Sequence, residues 1–118
     1  MPHMADCLFC KIIDGQIPAV KKVHEDELCV GFLDINPQAP THVLFVPRRH
    51  IATVNDATTE DRELLGHLMF AAAKVAREKG VSESGYRTVM NCNRDGGQTV
   101  FHIHLHLLAG RSLSWPPG

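Results

Sequence analysis

The 118 residues carry 12 Lys and Arg against 13 Asp and Glu, a formal net charge of −1, with 44% hydrophobic and 21% charged residues. This balance excludes the basic footprint of a nucleic-acid binder and the apolar-poor profile of a disordered chain, and predicts one globular domain over 4–118. No apolar run approaches the ~20 residues that span a bilayer, and no basic stretch with an apolar h-region opens the chain, so a soluble, cytoplasmic protein without a membrane partner is expected.

Met1-Pro2-His3-Met4 has the look of a cloning remnant, so residues 1–3 are set aside, His3 with them. Cys7-Leu-Phe-Cys10 can supply half of a tetrahedral zinc site. A redox role is disfavoured, because no βαβ pattern accompanies the pair. Without a secretory signal, the four cysteines read as thiols or metal ligands. Cys29 and Cys92 fall in predicted strands and read as small buried hydrophobes.

Residues 28–33 and 42–46 are short, rich in Val, Leu and Phe, and predict two strands. Pro37 and Pro40 keep the connection between them extended. Over 59–79, Leu64, Leu65, Leu68, Met69, Ala72, Val75 and Ala76 recur at the spacing of one buried helical face. Thr58 or Thr59 suits the N-cap of that helix and Gly80 its C-terminal stop. His67 on this helix reads as a structural histidine, and His24 has no evident partner in the sequence. Tyr86–Cys92 and Val100–Leu108 predict an antiparallel pair around an Asp95-Gly-Gly97 turn. Short strands with one long inserted helix make the fold class α+β with a mainly antiparallel sheet. The tail Ser114-Trp-Pro-Pro-Gly118 must pack as extended chain, since Trp115 is too apolar to stand in water.

His102, His104 and His106 alternate with Ile103, Leu105 and Leu107, so a strand would line three imidazoles on one face and pack the aliphatic residues behind it. An ordinary half-buried strand explains the alternation but not why one residue type fills every polar slot. Two functional readings remain: a His-x-His metal site, or a site that binds and attacks an anion. Asp95-Gly-Gly-Gln-Thr99 favours the second, through close backbone approach, successive N–H groups and the Thr99 hydroxyl, with Asn91 as a further amide donor.

His102-x-His-x-His106 with Asp-Gly-Gly-Gln-Thr upstream resembles the histidine-triad superfamily. Lys11-Ile-Ile13, Ile17-Pro-Ala19, Asp34-Ile-Asn-Pro-Gln-Ala-Pro-Thr-His42, Leu64-Leu-Gly-His-Leu-Met69 and Trp115-Pro-Pro-Gly118 extend the likeness along nearly the whole chain. Together they resemble the HINT branch, the histidine-triad nucleotide-binding phosphoramidases. The resemblance implies a HIT-like fold with a short N-terminal helix and sheets joined across a homodimer. It implies hydrolysis of purine nucleoside 5′-phosphoramidates to the nucleoside monophosphate and an amine. His104 would be the nucleophile, His106 would bond phosphoryl oxygens or protonate the departing nitrogen, and His102 and His42 would orient the nucleophile.

By the same likeness Asn91, the Gly97 amide and Thr99 would hold phosphate, Thr99 standing where serine is commoner. Asp34 would take the ribose hydroxyls, although an Asp here also starts a turn. Ile17, Val23, Phe32 and Ile35 would form the base slot, each being an ordinary core residue when taken alone. The tail, with Trp115, would reach the partner's active site. Related proteins carrying the cysteine pair complete a structural zinc site with residues that resemble His50 and His102 here, and none of the chemistry needs a catalytic metal. The competing readings are a regulatory nucleotide-binding module, a dinucleoside polyphosphate hydrolase or nucleotidyl transferase, and a metal hydrolase centred on the three histidines. Glutamine in place of His106 and absence of the Trp-Pro-Pro-Gly tail mark the second class, so both features count against it.

Overall fold

A computed structural model describes residues 6–18 and 20–118; the remnant expected at 1–3 lies outside the described residues. The elements run α1 (Leu8–Ile13), β1 (Lys22–Glu25), β2 (Cys29–Leu33), β3 (Thr41–Pro47), two 3-10 turns (Val54–Asp56 and Thr59–Asp61), α2 (Arg62–Glu78), β4 (Tyr86–Val89), α3 (Asn93–Gly96) and β5 (Leu105–Ala109). The strands form one five-stranded sheet in the order β1-β2-β3-β5-β4, every pairing antiparallel. The fold is α+β with one long helix, as the alternation of short strands around it predicts. No helix among the described residues is long and apolar enough to cross a membrane.

The period-two alternation of the strands divides the core between two sheet faces. Cys29, Val43, Phe45, Leu105 and Leu107 pack with Leu68, Ala71, Ala72, Val75 and Ala76 of α2. Val30, Phe32, Leu44 and Val46 point the other way and pack with Phe9, Ile12 and Ile13 of α1. Gly31 sits where the Phe45 ring crosses β2: a Cβ there would lie 2.8 Å from Phe45 Cε1, so no larger residue fits without displacing the ring.

Several elements depart from their sequence reading. The predicted helix over 59–79 opens with a 3-10 turn, where the Thr58 hydroxyl accepts from the Glu60 N–H and the Asp61 carboxylate accepts from the Thr58 N–H at 2.8 Å; α2 itself begins at Arg62. The Asp-Gly-Gly turn is one helical turn, α3, closed by Gly97 in the left-handed region at φ 86. Cys92 is half-buried at its N-cap, more open than its reading as a buried strand residue. The last strand starts at Leu105, not Val100. His102 and His104 precede its ladder in a segment whose Ile103 N–H donates to the Ile51 carbonyl at 2.8 Å.

His24 does have a partner. Asp26 Oδ2 accepts from His24 Nε2 at 2.6 Å and from His67 Nε2 at 2.7 Å, while Oδ1 accepts the Leu28 and Cys29 backbone N–H groups. Burial raises the Asp26 carboxyl, but these hydrogen bonds outweigh it and hold the group well below the usual carboxylate range. Burial and then the Asp26 charge push the Cys29 thiol up to about 12, so it packs as a neutral thiol. The carboxylate thereby ties the β1–β2 turn to α2. Asp26→Ala should cost about 2 kcal/mol, the scale of hydrogen bonds to a charged acceptor. Urea unfolding with an unchanged slope would show it, and a loss below about 0.5 kcal/mol would deny Asp26 this tying role.

Candidate active site

The histidines gather where β3 and β5 run side by side. Ladder pairing sets His42 opposite Leu108 and Leu44 opposite His106, so His42 and His106 are diagonal neighbours on the α1 face. Their rings meet, His42 Nε2 to His106 Nδ1, at 2.9 Å. The backbone decides which nitrogen holds each proton. The Gln38 N–H donates to His42 Nδ1 at 3.0 Å, so His42 carries its proton on Nε2 and donates it to His106 Nδ1. His106 is left with its proton on Nε2. His104 donates from Nδ1 to the His102 carbonyl at 2.9 Å, which leaves Nε2 as an unprotonated lone pair. His102 donates from Nε2 to the Pro47 carbonyl at 2.8 Å, which leaves Nδ1 unprotonated.

Burial keeps His42, His104 and His106 neutral. It lowers His42 against the opposing pull of Asp34, and it lowers His104 against the His102 carbonyl and Asp34. His106 is pushed down to about 4 by burial and then by His104 and His42 beside it. At neutral pH the cluster therefore offers a lone pair on His104 and an N–H on His106, five ångströms apart by ring centroid (5.0 Å).

A cleft of about 270 Å³ opens beside them. His104, His106 and Thr99 lie along it with Asp34, and Ile17, Phe32 and Ile35 contribute apolar wall. Asp34 is also the turn former: Oδ1 accepts the Asn36 N–H at 2.8 Å and Oδ2 stands 3.4 Å from His42 Nε2. Leu8, Phe9, Ile12, Val20 and Leu44 add to the apolar wall, residues not among those expected at the site. The run of apolar residues between and after the two cysteines was the signal for Leu8, Phe9 and Ile12, and the strand pattern over 42–46 for Leu44.

Other expected residues lie elsewhere. Val23 packs against the α2-side cluster, following Lys22, whose partner Phe32 faces α1, and it is the extra residue of a bulge between Lys22 and His24. Asn91 and Trp115 line a separate groove with Arg87, Thr88 and Val89 along β4, and Trp115 is 82% exposed. The Gly97 N–H donates to the Arg94 carbonyl at 3.0 Å, within its own turn. Gln98 emerges as the residue that shapes this loop: its amide accepts the Asn93 N–H at 2.9 Å and donates to the Ala52 and Val100 carbonyls at 2.8 and 3.0 Å.

Cys7, Cys10, His50 and His102 converge, with one donor atom each and all of these within 4.8 Å of one another. The Cys7 Sγ–His102 Nδ1, Cys10 Sγ–His50 Nδ1 and Cys10 Sγ–His102 Nδ1 separations are 3.5, 3.4 and 3.6 Å, and the two Nδ1 atoms are 3.1 Å apart. A zinc tetrahedron with ordinary bond lengths has edges of about 3.5 Å between S and N and about 3.3 Å between two N. The donors are thus already spaced for such an ion, and the His102 Nδ1 lone pair faces the other donors because Nε2–H is engaged by Pro47.

A triad of histidines running into the last strand of an α+β sheet, beside an apolar cleft, defines the class, and known proteins agree. The HIT domain model matches residues 14–113, so the chain belongs to the HIT family. It is 50% identical over 108 residues to the purine nucleoside phosphoramidase of Escherichia coli strain K12, covering 92% of this chain and 90% of that protein. The crystal structure of a HIT family hydrolase from Legionella pneumophila Philadelphia 1 superposes with a TM-score of 0.93 at 55% identity, covering 96% of this chain and 100% of that one. A Zn-bound histidine triad family protein from Mycobacterium smegmatis superposes with a TM-score of 0.77 at 32% identity, covering 90% of this chain and 76% of that one.

A pH prediction follows from His106. Between its ordinary 6.5 and its folded value of about 4, the unfolded chain binds a proton that the folded chain refuses, so stability rises with pH across that window and falls as pH drops through it. Calorimetric melting should show this slope, and it should be shallower in His106→Gln. Coincident slopes would mean that His106 is not held neutral by the fold.

Proposed function

We propose that this HIT family hydrolase cleaves purine nucleoside 5′-phosphoramidates, releasing the nucleoside monophosphate and an amine. The observation that carries the reading is the His104 ring, with Nδ1–H committed to the His102 carbonyl and Nε2 open on the cleft side with His106 and Thr99. A neutral imidazole needs no separate base to attack phosphorus. The Nε2–P bond forms as the P–N bond breaks, the departing nitrogen leaves as the neutral amine with a proton drawn from solvent, and the His106 Nε2–H bonds a phosphoryl oxygen. Water then attacks phosphorus, the His104–P bond breaks to return a neutral ring, and one proton of that water goes back to solvent. The positive charge that develops on His104 is held by the His102 carbonyl. Phe32, Ile17 and Ile35 suit a purine face, Asp34 the ribose hydroxyls and Thr99 the phosphate.

The same reading includes a structural zinc on Cys7, Cys10, His50 and His102, supported by the donor spacing and by the zinc-bound relative. When bound, the ion would cross-link the segment before α1 to the strand region around His50 and His102, and the chemistry at phosphorus uses none of its coordination. The reading also includes a C2 homodimer. Its support is the open edge of β4 together with the exposed Phe70 and Trp115, 77% and 82% accessible, which would bring the tail and Asn91 of one protomer near its partner.

The deciding experiment is hydrolysis of an adenosine 5′-phosphoramidate bearing a fluorescent amine. His104→Ala should lose at least about a thousandfold in kcat, as expected for a removed nucleophile, while still binding AMP and melting as a folded protein. Wild-type turnover by a chelator-treated sample that has lost activity only in proportion to its folded fraction would keep the metal structural. Equal turnover by wild type and His104→Ala would remove the nucleophile from the scheme.

A further inference from the structure

One element is shared by the cleft and the cysteine–histidine cluster. α1 is six residues long, too short to persist as an isolated helix, so it depends on its contacts for its place. Cys7 is its N-cap and Cys10 lies one turn on, both facing His50 and His102. From the same turn Leu8, Phe9 and Ile12 line the cleft. The Phe9 ring stands edge-on to His104 at 5.0 Å, to Phe32 at 5.5 Å and to His102 at 6.0 Å. On the far side of the cluster His102 connects the two sites again, its Nδ1 among the donors and its carbonyl on His104. Any movement of α1 that parts the thiols from the histidines also draws Phe9 away from His104 and Phe32.

We propose that metal binding by Cys7, Cys10, His50 and His102 and purine nucleotide binding in the cleft are positively coupled through α1, with Phe9 as the positioning residue between them. The proposal rests on the readings of the cleft as a nucleotide site and of the cluster as a metal site. The ion clips α1 in the place that completes the apolar slot, and nucleotide in the slot keeps the thiols in reach of the histidines. A cleft that is complete in only a fraction of molecules binds nucleotide more weakly by that fraction, and linkage makes the gain mutual.

The test uses the full chain, stripped of metal by chelator under reducing conditions and reloaded with one equivalent of Zn²⁺. AMP is titrated calorimetrically into both forms. Zinc affinity is then measured by competition with a chromogenic chelator, with and without saturating AMP, and circular dichroism follows the fold throughout. Zinc should tighten AMP binding about tenfold, and AMP should tighten zinc binding by the same factor. Phe9→Leu should keep one zinc per chain with most of that mutual gain gone. Zinc bound at one per chain with AMP affinity unchanged would overturn the coupling and leave both site readings standing. Failure to retain zinc would overturn it through the metal reading, and failure of either form to bind AMP through the cleft reading. Global loss of the dichroism signal in the metal-free chain, or undiminished coupling in Phe9→Leu, would replace the local clip by a general dependence on folding.

Discussion

The carbonyl of His102 is the constraint on which the candidate site depends. It receives the Nδ1 proton of His104 and so decides which nitrogen of that ring is open to the cleft. Its own position is set from two directions, by the His102 ring against Pro47 and the cysteine cluster, and by the Ile103 N–H on the Ile51 carbonyl. A free imidazole in water exchanges tautomers readily. Here three backbone groups, on Gln38, Pro47 and His102, leave each ring one protonation pattern without using any charged partner for the purpose. Burial then removes the protonated state from neutral pH, so the pattern and the charge state come from separate causes.

The sheet separates support from chemistry. On its α2 side the polar groups serve structure: Asp26 gathers two imidazoles and two backbone N–H groups where the β1–β2 turn meets the helix. On its α1 side the polar groups border a cleft and a potential ion site. Both faces use histidine, and its meaning differs with what lies opposite. His24 and His67 donate to one carboxylate that ties a turn to a helix, whereas His104 donates to a carbonyl and borders the cleft with its second nitrogen unprotonated.

Composition and periodicity made the fold class, the long helix and the central strands legible, because Phe45, Leu68 and Leu107 repeat at the periods of their elements. The rest depended on contacts between distant residues. A bulge at Val23 leaves Val23 and His24 both on the α2 side of the sheet, and no local signal in Lys22-Val-His24 announces it. The Asp-Gly-Gly segment satisfies its backbone through a helical turn and the Gln98 amide, an arrangement that requires Ala52 to be nearby. His102 and His104 alternate like strand residues yet precede the ladder, since their neighbour pairs with Ile51 beyond the end of β3. The cysteine pair was visible as half a site, while His50 and His102 could be joined to it from sequence only through likeness to relatives. Asn91 and Trp115 share a groove away from the cleft of their own protomer, a placement that depends on the course of the tail past β4.

The two outer strands of the sheet are not equivalent. β1 carries a bulge and the charged Lys22 and Glu25, with Arg48 reaching toward Glu25, so its backbone is a poor template for a further strand. β4 pairs with β5 without a bulge, its one charged side chain, Arg87, is turned to the Ser114 carbonyl of the tail, and Tyr86 stands partly open on it. In the proposed dimer, pairing of two chains through β4 would consume that edge on each and leave a joined sheet ending in β1 at both limits, so strand addition would stop at two chains, without the repeating edge that a fibre requires.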